Sequence, residues 1–210
     1  MAQIVALLGD LVGSRSSRDR RGLHDSLTRA LSDVSRDLPG LDALSVTAGD
    51  EFQGTYASLG EALAGAFAVR VRLCPAIDVR FGVGRGEVTV LDPDAGTQDG
   101  PAWWSARAAI DAVKAAEGDT GWSAARTAYR SWQHEDPRQE AVNAALVCQD
   151  LLLDSWDTRT WSIVRGIMQG RTQRAVAGDL GITRQAVQQR RHAAGLPMVL
   201  SAAERLAGLP

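Results

Sequence analysis

The sequence predicts an α+β protein: a ferredoxin-like (palm or cyclase-like) antiparallel sheet with helices on one face, followed by an all-α helix-turn-helix module. Three observations predict it. Short β-compatible runs and amphipathic helical runs alternate as β-α-β-β-α-β-α as far as Ala116. From Trp122 onward the apolar residues recur at helical spacing and no strand is evident. Charge divides along the same line: residues 159–210 hold eight arginines against Asp179 and Glu204, a net of +6, which leaves −8 for the rest of a chain whose total is −2. The domains expected are a sheet domain at 1–118, a helical linker or brace at 119–158 and a basic module at 159–210.

Taken in order, Gln3 to Leu8 is a short apolar run ending at Gly9-Asp10, a buried strand that delivers Asp10 to its carboxyl end. Leu11, Val12, Gly13 and Ser14, with Arg15 and Arg18, offer backbone N–H groups, hydroxyls and guanidinium groups suited to phosphate. Leu23, Leu27, Leu31 and Val34 keep helical spacing until Pro39-Gly40 ends the helix. Val46 to Ala48 and Phe52 to Tyr56 flank Gly49-Asp50, turn chemistry that makes a hairpin with Asp50 and Glu51 at its tip. Asp50 alone reads as a turn former. Set beside Asp10, which this topology brings to the neighbouring strand, it becomes half of a site for a divalent ion.

A second helix runs from a Ser58 cap through Leu59, Leu63 and Phe67 to Leu73. The strand Asp78 to Val88 carries glycines at 82, 84 and 86, which bare one face either to a flat ligand or to a packed backbone. Thr89 to Gly100 reads as a loop and Ala102 to Ala116 as a helix opening with Trp103-Trp104. Trp122 to Trp132 and Arg138 to Leu153 read as helices that brace two modules or form a dimer surface.

In the basic module, Gln173 to Arg191 has the pattern of a helix-turn-helix preceded by a helix from Trp161 to Met168. Val176, Ala177, Leu180, Ile182 and Val187 supply its core, Gly181 its turn and Thr183 the second cap. Thr183, Arg184, Gln185, Gln188, Gln189 and Arg191 are the candidate DNA-contacting residues, because Arg and Gln pair with guanine and adenine edges in the major groove and Arg also meets phosphate. A hairpin used only for packing or protein contact is the competing reading. Proteins with this motif usually bind DNA as dimers, so a homodimer is expected.

Composition excludes other classes. No apolar run approaches the ~20 residues of a membrane span, and Cys74 and Cys148 stand far apart with no zinc-ligand cluster. A cytoplasmic protein with free thiols is the expectation.

With these residues placed, the first ~115 resemble the SatD family. Gly9-Asp10-Leu11-Val12-Gly13-Ser14-Arg15 matches its G-D-hydrophobic-V-x-S-R, Gly49-Asp50-Glu51-Phe52-Gln53-Gly54 its G-D-E-F-Q-G, Arg80 to Glu87 its R-x-G-x-G-x-G-E, and Gly100-Pro101-Ala102 its G-P-A segment. More remotely the same landmarks are similar to class III nucleotidyl cyclases and GGDEF domains. That likeness implies that Asp10 and Asp50 bridge Mg²⁺ (or Mn²⁺) to a nucleotide, with Glu51 as a further metal ligand, Leu11 to Ser14 around phosphate, and Gly82, Gly84, Trp103 or Arg107 toward the nucleotide. It also marks a departure. The cyclase helix carries G-x-x-x-N-x-A-x-R, and counted from Gly100 its Asn falls on Trp104 and its Arg on Ala108, with Arg107 one residue early. One residue is about 100° around a helix. Catalytic residues therefore stay unassigned, and the expected function is a DNA-binding transcription regulator that senses a nucleotide with Mg²⁺. The alternative is a nucleotidyl cyclase or oligonucleotide synthetase with an attached DNA-binding module.

Overall fold

Three strands meet around Gly9, where β1 (Ile4–Leu11) pairs antiparallel with β3 (Glu51–Tyr56) on one side and β4 (Val79–Gly86) on the other. With β2 (Asp42–Ala48) outside β3 and a further strand outside β4, the sheet has five strands. The computed structural model describes residues 3–92, 96–119 and 121–210, and the Arg15 side chain also lies outside the described set.

Side-chain alternation sorts the sheet into two faces. Val5 and Leu7 of β1, Phe52 of β3 and Phe81 and Val83 of β4 point to one face, where α1 (Arg20–Asp37) adds Leu27, Leu31 and Val34 and α2 (Leu59–Leu73) adds Leu63 and Val69. The Phe52 ring lies over Gly9, where a Cβ would come within 2.1 Å of it, and meets Phe81 edge-on at 6.1 Å. Ser58 caps α2 as expected, and Glu61 closes a capping box by reaching back to its backbone.

The opposite face corrects the expectation that all helices share one side. Ala6 and Leu8 of β1 pack there against Ala102 and Ala106 of α3 (Pro101–Ala116). The glycine strip of β4 is what admits this helix. A Cβ on Gly82 would lie 2.2 Å from the Ala106 carbonyl, and one on Gly84 2.1 Å from the Ala106 nitrogen. Of the two readings of the strip, close backbone packing is the one found, so Gly82 and Gly84 do not face a ligand.

Two further elements differ from the sequence expectation. The loop after β4 contains a small hairpin, β5 (Thr89–Asp92) with β6 (Thr97–Asp99). The expected helix at Trp122–Trp132 is instead turns followed by a fifth strand, β7 (Thr127–Ser131), parallel to β4. Its five residues have no helical stripe, and its outer edge is satisfied by side chains of α4 (Gln139–Asp154) rather than by another strand. Asn143 accepts from the Tyr129 N–H at 2.8 Å and donates to its carbonyl at 2.9 Å, Gln139 accepts from the Ser131 N–H at 2.9 Å, and Asp150 accepts from the Thr127 N–H at 2.8 Å. Residues 139, 143 and 150 share a helix face. Val142 and Leu146 of α4 also enter the main core, so this helix packs directly on the sheet's helical face.

Beyond α4 follow α5 (Thr158–Met168), α6 (Gln173–Asp179), α7 (Arg184–Ala193) and α8 (Leu196–Ala207), the last absent from the sequence reading. Trp156, Trp161, Ile163, Val164, Val176 and Val187 form their core, which continues into Val71 and Cys74 at the end of α2. Arg165 donates to the Val71 and Cys74 carbonyls at that helix end, and Gly60 at the other end donates to the Leu209 carbonyl at 3.0 Å. No described helix is long and apolar enough to cross a membrane.

Replacing Gly84 by Ala should lower stability by about 3 kcal/mol or more, since backbone rather than a flexible side chain must move. A thermal melt showing a change within a degree would contradict the packing described.

Candidate functional site

The site grows from two strand ends. β1 carries Asp10 opposite Glu51 of β3 and Arg80 of β4, and the hairpin between β2 and β3 turns at Gly49, whose φ of 65° suits glycine, to place Asp50 beside them. The chain leaving β1 turns at Gly13, with φ of 67°, so that the Ser14 hydroxyl donates to the Asp50 carboxylate. Asp10, Leu11, Gly13, Ser14, Asp50, Glu51, Arg80 and Lys114 line one cleft of about 320 Å³.

Asp10, Asp50, Glu51 and most of the Leu11–Ser14 loop are thus brought together as expected. Other expected residues are not. Val12 uses its N–H on the Asp78 carbonyl at 2.9 Å, Trp103 is half-buried against the cluster of Ile4, Leu8 and Val88, and Arg18 is exposed. Arg15 lies outside the described side chains. Arg107 forks onto Glu51 at 3.2 and 3.3 Å, which raises its pKa above the ordinary guanidinium value.

Sequence reasoning missed two members of the cleft. Lys114 of α3 places Nζ 2.5 Å from Asp10 Oδ2, and Arg80 of β4 places Nε 3.2 Å from Oδ1. Lys114 lies seven residues beyond Arg107, so the two share a helix face, and that spacing was the available signal. Asp10 is only 5% exposed. Although Arg80 Nε and Asp10 Oδ1 are close enough to be an ion pair, their alignment does not make a hydrogen bond, and both atoms are buried without a hydrogen-bond partner among the described residues.

For a divalent ion, the carboxylates of Asp10 and Asp50 are the oxygen donors that Mg²⁺ takes, although Asp10 Oδ1, which has no hydrogen-bond partner among the described residues, is covered by Arg80. Among the described residues no group of three or more His, Cys, Asp or Glu side chains is arranged to hold a metal ion. Both Asp10 oxygens lie against a cation of the chain itself.

A second candidate surface lies on α7. Thr183 caps this helix by accepting from the Ala186 N–H at 3.1 Å, and Gly181 in the preceding turn has φ of 62°. Val176, Ala177 and Val187 are buried where α6 and α7 meet, while Thr183, Arg184, Gln185, Gln188 and Gln189 are exposed and Arg191 is half-buried. Arg184, Gln188, Arg191 and His192 line a concavity of about 160 Å³ with Gln173 and Pro197. Arg191 Nε and Gln173 Oε1 in its wall are buried without hydrogen-bond partners among the described residues.

The SatD family model matches residues 4–208. The chain belongs to the SatD family. No curated protein matches it. Among solved structures, the crystal structure of a regulator of polyketide synthase expression from Bifidobacterium adolescentis is 15% identical over 99% of this chain and 86% of that one, with a TM-score of 0.31, too low to establish a shared fold. The family model covers both the carboxylate cleft and α7, so both surfaces lie within the SatD match.

Asp157 ties α7 to α5. It caps α5 by accepting from the Thr160 N–H at 2.8 Å and pairs with Arg190 of α7 at 2.5 Å. The hydroxyl and N–H of Thr160, ahead of Arg190, lower its carboxyl from the ordinary 3.8 to about 2. A carboxylate lowered on folding contributes stability that is complete above its unfolded value and lost as pH falls through the folded one. The Asp157 carboxyl resonance should therefore titrate near 2, and Asp157→Asn should flatten the loss of melting temperature between about pH 4 and pH 2.

Proposed function

We propose that this SatD-family protein is a DNA-binding transcription regulator whose sheet unit receives a nucleotide through its phosphates together with a divalent ion. The observation that carries the reading is the outward face of α7, where Arg184, Gln185, Gln188 and Gln189 stand exposed with no acid between them. The pairing of α6 and α7 through a tight turn supports a helix-turn-helix. The strand order β2-β3-β1-β4, all antiparallel, is the order of a ferredoxin-like palm and supports the remoter likeness. In the cleft, Ser14 and Asp50 meet from two loops beside Lys114 and Arg80, which supply the positive charge that phosphate oxygens need.

Helical geometry divides the labour on α7. Gln185 and Gln189 lie two residues either side of buried Val187, about 200° around the helix, and so point directly away from the core toward base edges. Arg184 and Arg191 lie on the flank that lines the concavity, where phosphate fits. A homodimer would present two such helices to a two-fold site. The cleft favours binding over turnover, because Arg107, the residue nearest a charge-stabilising position, is engaged by Glu51.

Binding to genomic fragments should fall steeply with salt. Arg191→Ala should weaken binding to all sequences alike and reduce the salt slope by about 1, whereas Gln185→Ala should cost about 1–3 kcal/mol at its preferred base and relax preference there. Salt-independent binding, or none, would leave α7 as a protein-contact surface. For the cleft, nucleoside triphosphates with Mg²⁺ should raise the melting temperature and Asp50→Ala should remove the rise. A cyclic or linked product abolished by the same substitution would instead make the protein an enzyme.

A further inference from the structure

Asp10 raises a difficulty for a metal site. Its carboxylate already faces two cations, Lys114 at 2.5 Å and Arg80 at 3.2 Å, and its side chain is 8% exposed. A magnesium ion bonds carboxylate oxygen at about 2.1 Å. It cannot take Oδ2 while the Lys114 ammonium sits there, and Oδ1 is buried under Arg80. In the cleft Asp10, Asp50 and Glu51 face Arg80, Lys114 and Arg107, with Glu117 as a further acid on Arg80. A divalent ion alone would add two positive charges beside the Lys114 and Arg80 cations that already face Asp10.

Resting on the nucleotide-binding reading of this cleft, we propose that Lys114 is an exchangeable counter-ion: it holds Asp10 until phosphate draws it away, so that phosphate strengthens binding of the divalent ion and the ion strengthens binding of phosphate. The two cations differ in freedom. Arg80 is 14% exposed and also pairs with Glu117 at 3.3 Å, which ties it in place. Lys114 is 33% exposed, has no second acid partner among the described residues, and carries its charge on a flexible four-carbon stem. It is the cation that can leave. A phosphate group entering beside Ser14 gives the ammonium a new anion and frees Oδ2 for the metal. The metal and phosphate then offset one another's charge in the cleft. Thermodynamic reciprocity makes the coupling symmetric, since what phosphate does for metal affinity the metal does for phosphate affinity.

The test uses the full chain, with Mn²⁺ as the metal probe and inorganic triphosphate as the anion probe. Mn²⁺ alone, followed by its paramagnetic resonance signal, should bind the wild type weakly and Lys114→Met about tenfold or more tightly. Triphosphate without metal, followed by thermal shift, should bind the wild type and lose about tenfold in Lys114→Met. Lys114→Gln provides a second variant, and Lys114→Arg should restore wild-type behaviour in both measurements. Equal Mn²⁺ affinity in wild type, Lys114→Met and Lys114→Gln would overturn the counter-ion role while leaving the binding site intact. Failure of every form to bind either probe, with melts showing them folded, would overturn the nucleotide-site reading and this proposal with it.

Discussion

Backbone lies on backbone where α3 crosses β4, and the rest of the carboxylate cleft depends on that contact. Hydrogen atoms stand where side chains would at 82, 84 and 86, so the helix settles within van der Waals reach of the strand. Such a seat has no slack. It fixes the height and rotation of α3, and those fix where residues on its flank can reach. Arg107 meets Glu51 and Lys114 meets Asp10 because the helix cannot ride higher. The glycines serve the cleft from a distance: they do not line it, yet they set the position of Arg107 and Lys114 at its edge.

A second constraint closes the sheet on its β7 side. Unpaired strand edges invite pairing with other chains, and here α4 lays Gln139, Asn143 and Asp150 along that edge as a row of hydrogen-bonding side chains. Asp150 does more than this, since its carboxylate also takes the Arg126 N–H at 2.7 Å and pairs with buried Arg70 of α2. An ion pair this deep is costly to desolvate and is held only where further donors satisfy it. The two backbone N–H groups are those donors. The outcome is a junction that fastens β7, α4 and α2 at one point, directly beneath the core shared with α5 to α8.

Local signals made some of this legible and non-local ones hid the rest. The α1 stripe, the Ser58 cap, the Gly49 turn and the Thr183 cap are written in neighbouring residues, and a sequence reader finds them because their physics is local. Convergence of Asp10 and Asp50 was legible too, since strand order follows from element order. The glycine strip was legible as a bare face but not as to its occupant, because nothing near residue 82 says that residue 106 lies on it. β7 was invisible: five residues with an arginine among them, stabilised by a parallel partner some forty-five residues earlier and by side chains from a helix not yet reached. Lys114 was missed for a related reason, as its helix was read against an Asn and an Arg borrowed from a remote likeness instead of for the charge it carries.

The placement of α2 bears on how the two candidate surfaces are connected. This helix begins just after β3, the strand that carries Glu51 into the cleft, and its first turn is fixed by the Ser58–Glu61 capping box and by Gly60 against the Leu209 carbonyl. Its last turn is fixed by Arg165 of α5. Fastened at both ends to the C-terminal helices, α2 cannot bend independently of them. Signals that pass only through spatial neighbours are weak arguments for coupling, but a rigid element shared by two units restricts what coupling can look like. Any change at the hairpin that reaches α7 must turn the four C-terminal helices as a body, since α7 is itself held by the Val187 core and by Asp157. For the regulator proposed above, this architecture means that a nucleotide would act by reorienting the basic helix relative to a second copy of the chain, with the helix itself unchanged.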